Sequence, residues 1–128
     1  MSIDFSDGDI AKCGWLERKG LTLGRWATRF IILRDAFLFV CRQQPTALAD
    51  GIAHPDHVIW LHAAGGAVTS TPGSKSGRFF FTVSVTEPYP VAHLLSAHSE
   101  EERDSWVEKI NDALHIIENE DAERPRSL

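Results

Sequence analysis

Apolar residues recur at every second position between Phe79 and Val85. Phe79, Phe81, Val83 and Val85 share one side, and Phe80, Thr82 and Ser84 share the other. That is the period of a strand with one face in a core. Short runs rich in aromatic and β-branched residues predict further strands. Together they fall at roughly 12–19, 25–33, 36–42, 58–62, 67–70, 79–85 and 91–97. Turn-forming residues separate them: Arg34-Asp35, Gly65-Gly66, the stretch 71–77, and Pro88 with Pro90. Residues 43–57, interrupted by Pro45, Gly51 and Pro55, read as one long loop.

After residue 98 the period changes. Trp106, Ile110, Ala113, Leu114 and Ile117 form one helical stripe. Ser99 is placed to cap the helix, with Glu102 three residues later to complete a capping box. The acids at 100–104 suit the positive end of the helix dipole. A strand-rich domain closed by such a helix uses its large aromatic as a plug, and burying Trp106 should contribute about 3–5 kcal/mol. The expected class is mainly β with one C-terminal helix, made of seven strands in a small barrel or bent sandwich. The predicted limits are a loose lead-in at 1–11, one domain at 12–118 and an acidic linker at 119–128.

Composition narrows the function. The 128 residues carry a net charge of −5, which argues against broad nucleic-acid binding. The charge is polarised: residues 12–42 carry +5 and residues 99–128 carry −6. The longest apolar run, at 36–41, is far too short to span a bilayer. Asp4, Asp7 and Asp9 stand where a secretory signal would be basic and then apolar, so a cytoplasmic protein is expected. Cys13 and Cys41 have neither metal nor redox spacing and read as reduced thiols on strands. His54, His57 and His62 lack the companions of a zinc site, so no metal is expected. No nucleophile–base pattern and no phosphate-cradling glycine loop is present, so no catalytic residue and no cofactor are expected.

The segment 14–33 carries the most specific signal. Gly14, Trp15, Leu16, Glu17 and Arg18 open the first strand, and Trp26, Ala27, Thr28, Arg29 and an apolar run from Phe30 to Leu33 follow a basic loop. With Trp106 behind an acidic first turn, these elements resemble the pleckstrin homology (PH) family over about 12–117. The first loop's length and the run Glu101-Glu102-Arg103-Asp104-Ser105-Trp106 are most similar to the N-terminal module of protein kinase B (Akt-like) kinases. The resemblance implies two nearly orthogonal antiparallel sheets capped by the helix. It also implies a phosphoinositide head-group site under the first loop, and a membrane-recruitment role in a larger signalling protein such as a Ser/Thr kinase.

Strand alternation gives that site residues of its own. If Leu16 faces the core, so does Arg18; if Ile31 and Leu33 do, so do Arg29, Ala27 and Arg25. Two guanidiniums converging at the mouth suit a phosphate. Ala27 departs from the family, whose lipid binders usually carry a basic residue there. Arg25, about 6.6 Å along the strand, or Lys19 would have to compensate. Arginine inside strand six, a feature of the Akt-like modules, aligns with Thr82, and Arg78 is the nearest basic residue. The expected phosphate-binding residues are Arg18, Lys19, Arg25 and Arg29. Leu21, Leu23, Lys12 and Lys75 are candidate membrane contacts. The alternative is a protein-interaction module with little lipid affinity, or an intramolecular clamp on a kinase domain. In either case a monomer peripheral to membranes is expected.

Overall fold

Every non-proline residue of a strand needs partners for its N–H and C=O, so the alternating segments pair with one another. The computed structural model describes residues 10–20, 24–61, 66–86 and 90–123. Among these are β1 (Ile10–Lys19), β2 (Trp26–Arg34), β3 (Phe37–Cys41), α1 (Leu48–Ala53) and β4 (His57–Trp60). β5 (Ala67–Ser70), β6 (Phe79–Val85), β7 (Val91–Ala97) and α2 (Glu100–Glu123) complete the order.

Antiparallel pairing links the strands in the order β4-β3-β2-β1-β7-β6-β5. The two expected sheets are thus halves of one hydrogen-bonded sheet, joined at β1. That strand pairs with β2 along its length, and near its end it also pairs with β7, Glu17 opposite Ser96 and Arg18 opposite Leu95. A strand shared by two ladders lets the sheet fold over a core without leaving an edge inside it.

The core is built from the inward residues of both halves. Leu16, Ile31, Leu33, Leu38, Val40, Ile59, Phe81, Val83 and Leu95 are buried there with Trp106 and Ile110 of α2. Val107, Ala113 and Leu114 pack at its margin. Ile117, the last residue of the predicted stripe, has its side chain outside the described residues. The expected capping box forms by half. Ser99 Oγ accepts the Glu102 N–H at 3.1 Å, but the Glu102 carboxylate accepts from Trp106 Nε1 at 3.1 Å instead of turning back. The helix continues to Glu123, past the boundary at 118.

β2 shows why its apolar run does not alternate. Phe30, Ile31, Ile32 and Leu33 are all buried, two on each face. Ile31 and Leu33 enter the main core. Phe30 and Ile32 form a second cluster with Cys41, flanked by Cys13, Phe39 and Ile52. Ile52 belongs to α1, a helix inside the stretch expected to be loop. Its Gly51 packs so close that a Cβ would sit 2.8 Å from Ile32 Cδ1 and 2.9 Å from Pro45 Cγ. Cys13 and Cys41 are both free thiols, and burial raises the pKa of each. None of the described helices is long and apolar enough to cross a membrane.

Candidate functional site

The β1–β2 hairpin sets the site's register. Leu16 pairs with Arg29, Arg18 with Ala27 and Lys19 with Trp26. Arg18 and Arg29 are therefore diagonal neighbours on the inward face, a separation of about 7–8 Å between such positions. The methyl group of Ala27 lies opposite Arg18. Both arginines are half-buried. Burial is the main cause that lowers the Arg18 pKa, and the positive charge of Arg29 adds to it against the opposing pull of Asp56. Arg29 donates from Nη1 to the carbonyl of Thr28 at 2.8 Å.

Two histidines complete this inward group, and neither was expected in it. His93 lies on β7 two residues before Leu95, the partner of Arg18. It is 4% exposed, and Arg18 Nη2 donates to its Nδ1 at 3.2 Å. A guanidinium has only donors, so Nδ1 carries no proton and the ring is neutral. Burial first, then the charges of Arg18 and His57, hold the His93 pKa down to about 4. His57 opens β4, its ring 6.0 Å from that of His93. Burial and Arg18 lower its pKa as well, against Asp56. The signal for His93 was its inward parity with Leu95; the missing information was that β7 pairs with β1.

Lys19 does not join them. It follows Arg18 by one residue and so takes the outer face, opposite Trp26. There a cleft of about 430 Å³ is lined by Lys19, Trp26, Lys75, Arg78, Phe80 and Leu94 among others. Arg78 stacks over Trp26 at 5.1 Å and donates from Nε and Nη2 to Glu17 Oε2 at 3.2 and 3.0 Å. Lys75 reaches the cleft through a tight turn. Ser76 and Gly77 both have positive φ, and Lys75 and Arg78 exchange backbone hydrogen bonds at 3.0 Å across them. The stretch 71–77 is therefore an ordered hairpin end. Arg103 fixes it from α2, donating from Nη1 to the carbonyls of Thr71 at 2.7 Å and Gly73 at 3.2 Å.

The other expected residues separate. Arg25 is exposed at the stem of the loop, where its carbonyl accepts the Gly20 N–H at 2.8 Å. Thr82 alternates with buried Phe81 and Val83, so it faces outward, and the strand-six position does not aim into the mouth. Lys12 is no part of the loop end. It lies six residues, about 20 Å, back along β1. There it pairs with Glu102 at 3.5 Å and sits 5.3 Å above the Trp106 ring. Leu21 and Leu23 lie outside the described residues. Among the described residues no cluster of three His, Cys, Asp or Glu side chains could hold a metal.

Comparison with known proteins matches this architecture. The PH domain family model covers residues 10–115. The carboxyl-terminal PH domain of pleckstrin superposes with a TM-score of 0.65 at 26% identity, over 82% of this chain and 97% of that one. The same domain in complex with D-myo-Ins(1,2,3,4,5)P5 gives 0.62 at 27% identity, over 81% and 97%. A solution structure of a pleckstrin homology domain gives 0.64 at 26% identity, over 84% and 88%. No curated protein matches the chain.

Proposed function

This chain belongs to the PH-domain family, and on that premise we propose that it binds a phosphorylated inositol head group and so recruits its parent protein to phosphoinositide membranes. The observation that carries the reading is the placement of Arg18 and Arg29 on one inward face beside Ala27, where each guanidinium can give paired hydrogen bonds to a phosphate. The complex of a 27% identical pleckstrin domain with an inositol pentakisphosphate supports it. Arg25, at the loop stem, extends the same basic end. Lys19, Lys75 and Arg78 offer a second basic surface on the outer face, suited to attraction by an anionic bilayer.

Titrating inositol hexakisphosphate into isotope-labelled protein tests the reading. Saturable shifts of the Arg18, Arg29 and His93 signals are expected, and Arg29→Ala should raise the ligand concentration needed to shift Arg18 and His93 about ten- to a hundred-fold. No saturable shift at millimolar ligand would overturn the reading. The likeness to protein kinase B-like modules rests on the first loop's length and the Glu101–Trp106 run alone. A kinase neighbour is therefore a proposal for the parent chain, tested by whether that chain encodes one.

The second reading is docking of a protein. It is favoured by Trp15, Phe37, Val58 and Trp60, which are 36–42% exposed. Phe37 pairs with Trp60 across the β3–β4 ladder, and Val58 lies two residues from Trp60 on the same face; exposed apolar side chains grouped in this way mark interaction sites. A partner retained by an Arg18→Ala/Arg29→Ala protein would support it, and loss of every partner together with lipid would oppose it.

A further inference from the structure

Four side chains from four strands meet at the mouth: Arg18 of β1, Arg29 of β2, His57 of β4 and His93 of β7. We infer that an anion binding there is accompanied by proton uptake on the His57–His93 pair, which makes the two imidazoles part of the anion site and its affinity dependent on pH. The inference rests on the head-group reading of Arg18 and Arg29.

The mouth has donors in excess of acceptors. Arg18 Nη2 uses the lone pair of His93 Nδ1 at 3.2 Å, and Arg18 Nε is buried with no hydrogen-bond partner. A buried donor without an acceptor is costly, and a phosphate oxygen would relieve it. The charges around the pair have one predominant sign. Arg18 acts on both rings, and Arg29 acts on Arg18. Asp56 is the acid beside them, and Arg42 donates to it at 3.0 Å from the end of β3. Val83, the β6 partner of His93, is uncharged. With no anion present, the Arg18 hydrogen bond to Nδ1 keeps the His93 ring neutral, and partial burial and Arg18 lower the pKa of His57.

A phosphomonoester group reverses that balance. It draws the Arg18 guanidinium onto its oxygens and frees Nδ1 of His93. A protonated ring then becomes a donor to the anion, next to negative instead of positive charge. The rings are 6.0 Å apart, close enough for a charge on one to act on the other, so the proton is assigned to the pair and not to either ring. Where one proton is taken up on binding, affinity rises about tenfold for each unit of falling pH. The ligand chemistry is a ring bearing phosphomonoesters, either a soluble inositol polyphosphate or a phosphoinositide head group.

The test uses the native protein. Imidazole signals of His57 and His93 are followed against pH, with and without saturating inositol hexakisphosphate, with exposed His98 and His115 as internal references. A rise of the pair's midpoint on binding is expected, larger than any shift of the references. Unchanged midpoints in the bound protein would overturn the inference while leaving the head-group reading intact. Failure to bind at any pH would overturn the head-group reading and the inference with it. Affinity for the native and His57→Gln/His93→Gln proteins is then compared between about pH 6 and 8. The native slope should exceed that of the variant, whose remaining slope comes from the ligand's own phosphates. Equal slopes in two binding-competent proteins would overturn the inference. Vesicles carrying a phosphatidylinositol bisphosphate are run beside the soluble ligand. A histidine-dependent slope in either upholds the coupling and identifies which source binds.

Discussion

Arg18 stands directly opposite Ala27 in the β1–β2 ladder, with His93 accepting from its guanidinium on the other side. One inward charge is thus held between a methyl group and a neutral imidazole. This arrangement leaves Arg18 short of acceptors, with its Nε buried and unpartnered.

Replacing that methyl group should strengthen binding. Ala27→Lys places a second charge beside Arg18, and a charged donor to phosphate contributes about 1.5–3 kcal/mol, roughly ten- to a hundred-fold in affinity. Like charges directly opposite one another should cost about 0.2–1 kcal/mol of stability. Calorimetric titration with inositol hexakisphosphate and urea unfolding measure the two effects. Unchanged affinity would show that position 27 does not face the ligand.

Arg103 is 4% exposed and holds the 71–77 turn to α2 through two carbonyls. Arg103→Ala leaves those acceptors without their donor and should destabilise the fold by about 2–3 kcal/mol. Hydrogen exchange of the Lys75 and Arg78 amides, which close the turn, should accelerate beyond the global change. Protection lost evenly across the sheet would argue against a local staple.

His93 predicts an acid-sensitive fold. Its pKa in the folded protein is about 4, below the ordinary 6.5. The unfolded chain therefore binds more protons between those values, and stability falls as pH drops from about 6.5 to about 4. The loss should reach about 3 kcal/mol at the low end of that window. Urea midpoints across the window should decline in the native protein and decline less in His93→Gln. Parallel declines would contradict the assignment.

Gly51→Ala tests the packing of α1. The new methyl would lie 2.8 Å from Ile32 Cδ1 and 3.2 Å from Cys41 Sγ. Overpacking of this kind typically costs about 1–3 kcal/mol, read as a lower melting temperature. A neutral result would mean that α1 lifts from the sheet at little cost.

Much of the fold was legible because its signals are local. β5, β6 and β7 fall where alternation and turn residues predict them, and α2 follows from one stripe and its cap. α1 was hidden because it has six residues, a glycine and no side-chain cap. Tertiary contact of Ile52 and Gly51 with Ile32 and Cys41 holds it in place. At the site, alternation brought Arg18 and Arg29 together. The same rule, applied one residue on, would have moved Lys19 to the outer face. His57 and His93 join the mouth through strand pairings between distant segments, which no local pattern encodes.

Arg18 and Arg29 are the proposed head-group site. Its most direct measurement is binding of native and Arg29→Ala protein to vesicles that differ only in phosphoinositide content. Saturable binding of the native protein to phosphoinositide vesicles is predicted, weakened about ten- to a hundred-fold in the variant. Equal binding by both proteins, or equal binding to vesicles carrying only phosphatidylserine, would contradict it.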